Sequence, residues 1–101
     1  MSISIHKEIP INVQTSNGHW TSTTSSLKGI LKQIIVIAAS NNTYFDFIIR
    51  DNNDFPIYWR NDIVGDFNEQ VEIPVSGVHS LIISDATAQE IFRVYLAIQE
   101  I

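Results

Sequence analysis

Apolar and polar side chains alternate at period two through much of this chain, and that spacing commits it to β-strands. From Ser2 to Thr15, Ile3, Ile5, Ile9, Ile11 and Val13 hold one parity, while Ser2, Ser4, His6, Glu8, Asn12 and Gln14 hold the other. Phe45, Phe47 and Ile49 alternate against Tyr44, Asp46 and Arg50, and Phe92, Val94, Leu96 and Ile98 alternate against Arg93, Tyr95 and Gln99. Composition agrees: 18 of 101 residues are Ile, joined by 7 Val, 6 Thr and 10 aromatics, the set that fits a pleated, half-buried surface. Alanine, the best helix former, is confined to Ala38-Ala39 and the stretch from Ala86 to Ala97.

Turn signals divide the strands. Asn17-Gly18 suits a type I′ hairpin, whose two central residues need positive φ. Pro10 cannot donate to a ladder, so the first strand is expected at a sheet edge or broken near Pro10. Unbroken, Ser2–Thr15 would span about 45 Å against about 20 Å for an ordinary strand, so it bends between sheets or reaches beyond its own domain. His19–Ser26 is rich in Ser and Thr with Trp20 as its one large apolar side chain; it covers an edge or offers its hydroxyls to a partner. Leu27–Ala39 is apolar enough for a short helix, but the β-branched run Ile34-Ile35-Val36-Ile37 reads as strand, with Gly29 as a bulge or strand start. After an Asn41-Asn42 turn come Thr43–Arg50, a polar turn over Asp51–Asp54, a short strand Pro56–Arg60 and a loop over Asn61–Asn68. Gln70–Val75, a Ser76-Gly77 turn, Val78–Ser84, a turn over Asp85–Glu90 and Ile91–Glu100 complete the chain.

The length predicts one domain over 1–101, with 1–26 as an N-terminal hairpin or arm and 27–101 as the body. The expected fold is all-β: an antiparallel β-sandwich of about eight strands, Ig-like or jelly-roll, carrying an N-terminal β-hairpin ribbon. A 45% hydrophobic, 17% charged mixture supports a packed core. No basic segment followed by an apolar one marks a signal peptide, and no apolar run approaches the roughly 18 residues of a membrane span.

Chemistry is sparse. Cysteine is absent, which removes thiol nucleophiles and Cys-ligated metals. A net charge of −5 and scattered Lys7, Lys28, Lys32, Arg50, Arg60 and Arg93 argue against nucleic acid. Ser80, His79 and Asp85 supply the residue types of a triad, but His79 and Ser80 point to opposite faces of a strand, and no G-x-S-x-G elbow occurs. His6, His19 and His79 lack metal-ligand spacing and read as surface residues. Asp51-Asn52-Asn53-Asp54 offers oxygen donors for calcium, yet fails the EF-hand pattern at its glycine and glutamate positions; an Asx turn explains it. The acids lie mostly in turns or on polar faces, away from the apolar settings that raise a catalytic pKa. No catalytic residue, cofactor or metal is expected. Tyr58 and Trp59 flank Arg60 on one strand, where only one of the two aromatics can face outward; Trp59 is expected in the core with Ile57. The outward one would suit a sugar ring.

YFDFIIRDNND…PIYWR, EQVEIPVSGVHSLIISDA and FRVYLAI, in that order, resemble the strand pattern of small Ig-like or jelly-roll sandwiches. The resemblance, over about 55 residues and on structural motifs alone, is to accessory virion proteins of tailed bacteriophages and, more weakly, to bacterial protease-associated C-terminal sandwich domains. It implies a non-enzymatic virion protein: a capsid decoration or cement protein, or another head or neck component. Its partners would be other virion proteins and further copies of itself, with no nucleic acid or membrane; a carbohydrate-binding or host-attachment module is the alternative. The contact residues expected are Ile3, Ile5, Trp20, Thr21, Thr23, Tyr58 and Trp59.

Overall fold

The computed structural model describes residues 5–14, 18–38, 42–86 and 91–100, with the backbone alone for 5–14, 91 and 100. Every regular element among them is a strand: β1 (Ile5–Gln14), β2 (Trp20–Thr23), β3 (Leu27–Ile37), β4 (Tyr44–Arg50), β5 (Pro56–Val64), β6 (Phe67–Gly77), β7 (Ser80–Ser84) and β8 (Ile91–Glu100). They form two antiparallel sheets in the orders β1-β8-β3-β6 and β2-β7-β4-β5, packed face to face as a sandwich.

The alternation read from the sequence sets the core. Leu31, Ile34, Val36, Phe92, Val94, Leu96 and Ile98 of the first sheet meet Phe45, Phe47, Ile49, Leu81 and Ile83 of the second, all buried. Phe45 and Phe92 join the sheets edge to face, with ring centroids 4.9 Å apart.

Three expectations about the strands are corrected. β1 and β2 do not form a hairpin ribbon: β1 pairs with β8 from Ile5↔Glu100 to Gln14↔Ile91, and β2 pairs with β7. The Asn17-Gly18 signal therefore marks a crossing between sheets rather than a hairpin; Asn17 lies outside the described residues. Gly18, at φ +76°, presses against Ala86, whose carbonyl oxygen would stand 2.6 Å from an added Cβ. Second, the irregularity in β3 falls at Lys32 and not at Gly29, which lies within the strand. Between Leu31 and Ile34, β3 takes three steps, while β8 takes two (Ile98 to Leu96) and β6 takes four (Ile73 to Glu69). The extra residue relative to β8 moves the buried set from Leu27 and Leu31 to Ile34 and Val36. The mismatch sets Leu31 and Ile34 three apart, and Gly29, inward but without a side chain, leaves Leu27 and Leu31 four apart, which is why the segment resembles a helix in sequence.

Third, Asn61–Asn68 is mostly strand. Ile63 pairs with Phe45, and the Asp46 carboxylate accepts the Asp62 N–H at 2.8 Å where Asp62 turns through φ +58°. A short turn at Gly65-Asp66 then leads into β6, with the Gly65 N–H donated to the Thr43 carbonyl at 2.9 Å. The prediction for Pro10 is met, because β1 ends its sheet. Pro56 and Pro74 likewise lie in end strands, β5 and β6, the places in a sheet where proline is tolerated.

His79 is also buried rather than on the surface. Its N–H donates to Thr24 Oγ1 at 3.1 Å, its carbonyl accepts the Thr24 N–H at 2.8 Å, and its Nδ1 lies 2.9 Å from the Gly77 carbonyl. These bonds fasten the β2–β3 corner to the β6–β7 corner. No described helix is long and apolar enough to cross a membrane.

Candidate interaction face

Since Phe47, Ile49, Leu81, Ile83 and Tyr58 point into the sandwich, their strand neighbours form the outer face of the β2-β7-β4-β5 sheet. Backbone register sets those neighbours in rows. Thr21 is opposite Ile82, Ile82 opposite Ile48, and Ile48 opposite Trp59, so one row runs across all four strands. The next row, towards one end of the strands, is Thr23, Ser80, Arg50 and Pro56. In the other direction Ser84 is opposite Asp46.

The central row is apolar in three of its four positions. Ile82 and Ile48 are half-buried and Trp59 is 58% exposed. Further along β4 and β5, the opposed Tyr44 and Val64 are 54% and 50% exposed. Charge flanks the row: Asp46 precedes Ile48 by two positions on β4 and Arg50 follows it by two. Among the described residues the buried Arg50 Nε makes no hydrogen bond. Arg50 Nη1 lies 3.5 Å from Asp54, a long and exposed ion pair.

The adjoining flank of the sandwich is closed by a fork. Arg60 on β5 donates from Nε and Nη2 to Glu69 on β6 at 2.7–2.9 Å, linking the end strands of the two sheets. The Tyr58 hydroxyl is buried beside this pair and makes no hydrogen bond of proper geometry among the described residues. Burial pushes its pKa up to about 12, with the Arg60 guanidinium pulling the other way. A hollow of about 340 Å³ runs along Ile57, Tyr58, Trp59 and Arg60. A second, of about 520 Å³, opens on the other sheet at the β3 bulge, where Lys32 Nζ meets Glu72 at 2.7 Å.

Of the predicted contact residues, Thr21, Thr23 and Trp59 share this face. Trp20 and Tyr58 do not: Trp20 packs against the core, and Tyr58 is buried with its ring centroid 6.4 Å from that of Phe47. The expected places of Tyr58 and Trp59 are thus exchanged. Ile3 lies outside the described residues, and for Ile5 the backbone pairing with Glu100 is described. Ile48 and Ile82 were missed, although Ile48-Ile49 and Ile82-Ile83 carry the signal: two adjacent apolar residues in a strand turn one outward.

Ser80, His79 and Asp85 are not brought together as a triad. Ser80 opens β7 and Asp85 follows its last residue, about 16 Å away at strand spacing. The Asp51 carboxylate accepts the N–H groups of Asn53 and Phe55, each at 2.9 Å, as an Asx turn requires. No group of three His, Asp or Glu suited to a metal occurs among the described residues. No protein-family model matches the chain, and no curated protein matches it significantly.

Proposed function

We propose that this chain is a non-enzymatic structural protein of a bacteriophage particle, a capsid decoration or cement protein or another head or neck component, working through protein contacts made by a jelly-roll sandwich. The apolar row on the outer face carries the reading: the exposed Trp59 and the half-buried Ile48 and Ile82 form a contiguous patch of the kind that marks protein contacts. The pairings β1·β8, β2·β7, β3·β6 and β4·β5 support the jelly-roll assignment, because they are those of one long hairpin rolled into two sheets. Shell proteins and lectins both use that roll, so the motif resemblance is what favours the particle. Mass spectrometry of gradient-purified particles tests the proposal. Copies near the number of the major shell protein support decoration or cement, a handful per particle supports the neck or tail, and absence rejects the particle reading.

The exposure of Trp59 beside Thr21 and Arg50 also supports the glycan-binding alternative, since an exposed indole flanked by polar groups suits a sugar ring. A glycan array probed with the wild-type chain and Trp59→Ala decides it: binding lost with Trp59 supports this alternative, and no binding by the wild type removes it.

A further inference from the structure

We infer that the outer face of the β2-β7-β4-β5 sheet is self-complementary and docks against a second copy of this chain, about a two-fold axis lying along the row Thr21, Ile82, Ile48 and Trp59. The inference rests on the reading of the chain as one that works through protein contacts, and it names the surface and the partner.

The register supplies the argument. Asp46 and Arg50 lie on the same strand and the same face, two residues either side of Ile48, each about 7 Å from it. Rotation by 180° about the row leaves the row in place and reverses the strand direction. Asp46 of the second copy then falls over Arg50, and Arg50 of the second copy over Asp46, so the charge pair is made twice. Ile48, Ile82 and Trp59 are each covered by the same residue of the other copy, as an isologous contact demands. The rows either side add only small hydroxyl side chains between the charges and β2, Ser80 and Ser84, so nothing bulky there holds the faces apart. Arg50 also has need of an anion: its Nε is buried without a hydrogen bond among the described residues, and Asp54 reaches only Nη1, at 3.5 Å. A carboxylate arriving from above the sheet meets the exposed Nη end of the same guanidinium, which holds only the long contact to Asp54.

The contact is small. Four strands about 4.8 Å apart, with about five residues of each, give a footprint of order 300 Å² per copy, about 600 Å² in all, well under a standard interface, so the association is weak and reversible. Sedimentation equilibrium on the full chain tests it. The wild type is expected to be mainly dimeric at several hundred micromolar, on the order expected of a weak interface, and monomeric after dilution about a hundredfold. Trp59→Lys and Arg50→Glu are each expected to weaken the dimer about tenfold or more, with circular dichroism unchanged, since both side chains lie on the outer face. Mixing Arg50→Glu with Asp46→Lys should restore association as a heterodimer, because each opposed pair is then one acid and one base. Should Asp46→Lys fail to fold, for want of its bond to the Asp62 N–H, the first two variants still decide. A wild type monomeric at every concentration overturns the inference, as does a dimer indifferent to both Trp59→Lys and Arg50→Glu. A chain monomeric in solution yet abundant in particles would sink the dimer and leave the proposed function standing; a dimer absent from particles would do the reverse.

Discussion

Tyr58 and Trp59 show how one position along a strand decides what a side chain does. Both are aromatic, and Trp59 shares its parity with the apolar Ile57, which makes that parity look like the core. The pairing of Ile49 with Tyr58 fixes the opposite outcome, since Ile49 points inward and its cross-strand neighbour must do the same. Single-strand alternation was too short here to choose between the two. The buried hydroxyl has a consequence for stability at high pH. The folded state raises the Tyr58 pKa to about 12 from an ordinary 10.0, so it favours the neutral phenol. Stability from this source is whole below about pH 10 and is lost as pH rises through 12, at most about 2–3 kcal/mol. Tyr58→Phe should remove much of the fall in denaturation midpoint between pH 9 and pH 12; an unchanged fall would mean that the hydroxyl is solvated in the folded state.

At the level of elements, β4 and β8 were legible because both strands are interior to their sheets and alternate residues, Phe45, Phe47 and Ile49 and then Phe92, Val94, Leu96 and Ile98, are aromatic or aliphatic and buried. β3 was ambiguous for a physical reason: the mismatch at Lys32 converts period two into helical spacing, and only its neighbours β8 and β6 reveal it. β5 ran past its predicted end because the polar Asn61-Asp62 step is a bulge that Asp46 satisfies, a partner 16 residues away in sequence. The end strands carry their own protection. Pro10, Pro56 and Pro74 mark three of the four, and the fourth, β2, has only four residues. Pro74→Val restores an N–H to the end strand β6 and should speed fibril formation, read by thioflavin fluorescence, while the melting temperature stays within a few degrees. Unaltered aggregation kinetics would show that the β6 edge is guarded by its charges alone.

In the whole molecule, nearly every strand pairs with one distant in sequence, so the sheet orders could not be read from local patterns. Alternation predicted strands and a sandwich; it did not predict that β1 would lie beside β8 instead of β2. The candidate face was half legible for the same reason. Thr21, Thr23 and Trp59 stand out singly in the sequence, whereas the row joining them through Ile82 and Ile48 exists only once β2, β7, β4 and β5 are aligned. That alignment produces a surface with an apolar centre and opposite charges on either side, and with β5 and β2 ending the sheet, the sequence guards against growth along the edges and leaves the face open. The proposed function makes this face the place where the chain meets its protein partners, and the proposal stands or falls there. Its most direct test is the copy number, by mass spectrometry, of Trp59→Lys against the wild type in particles purified from the same culture. The variant is expected to fold and to be lost from particles that hold the wild type; retention of Trp59→Lys at the wild-type copy number would mean that the contacts lie elsewhere.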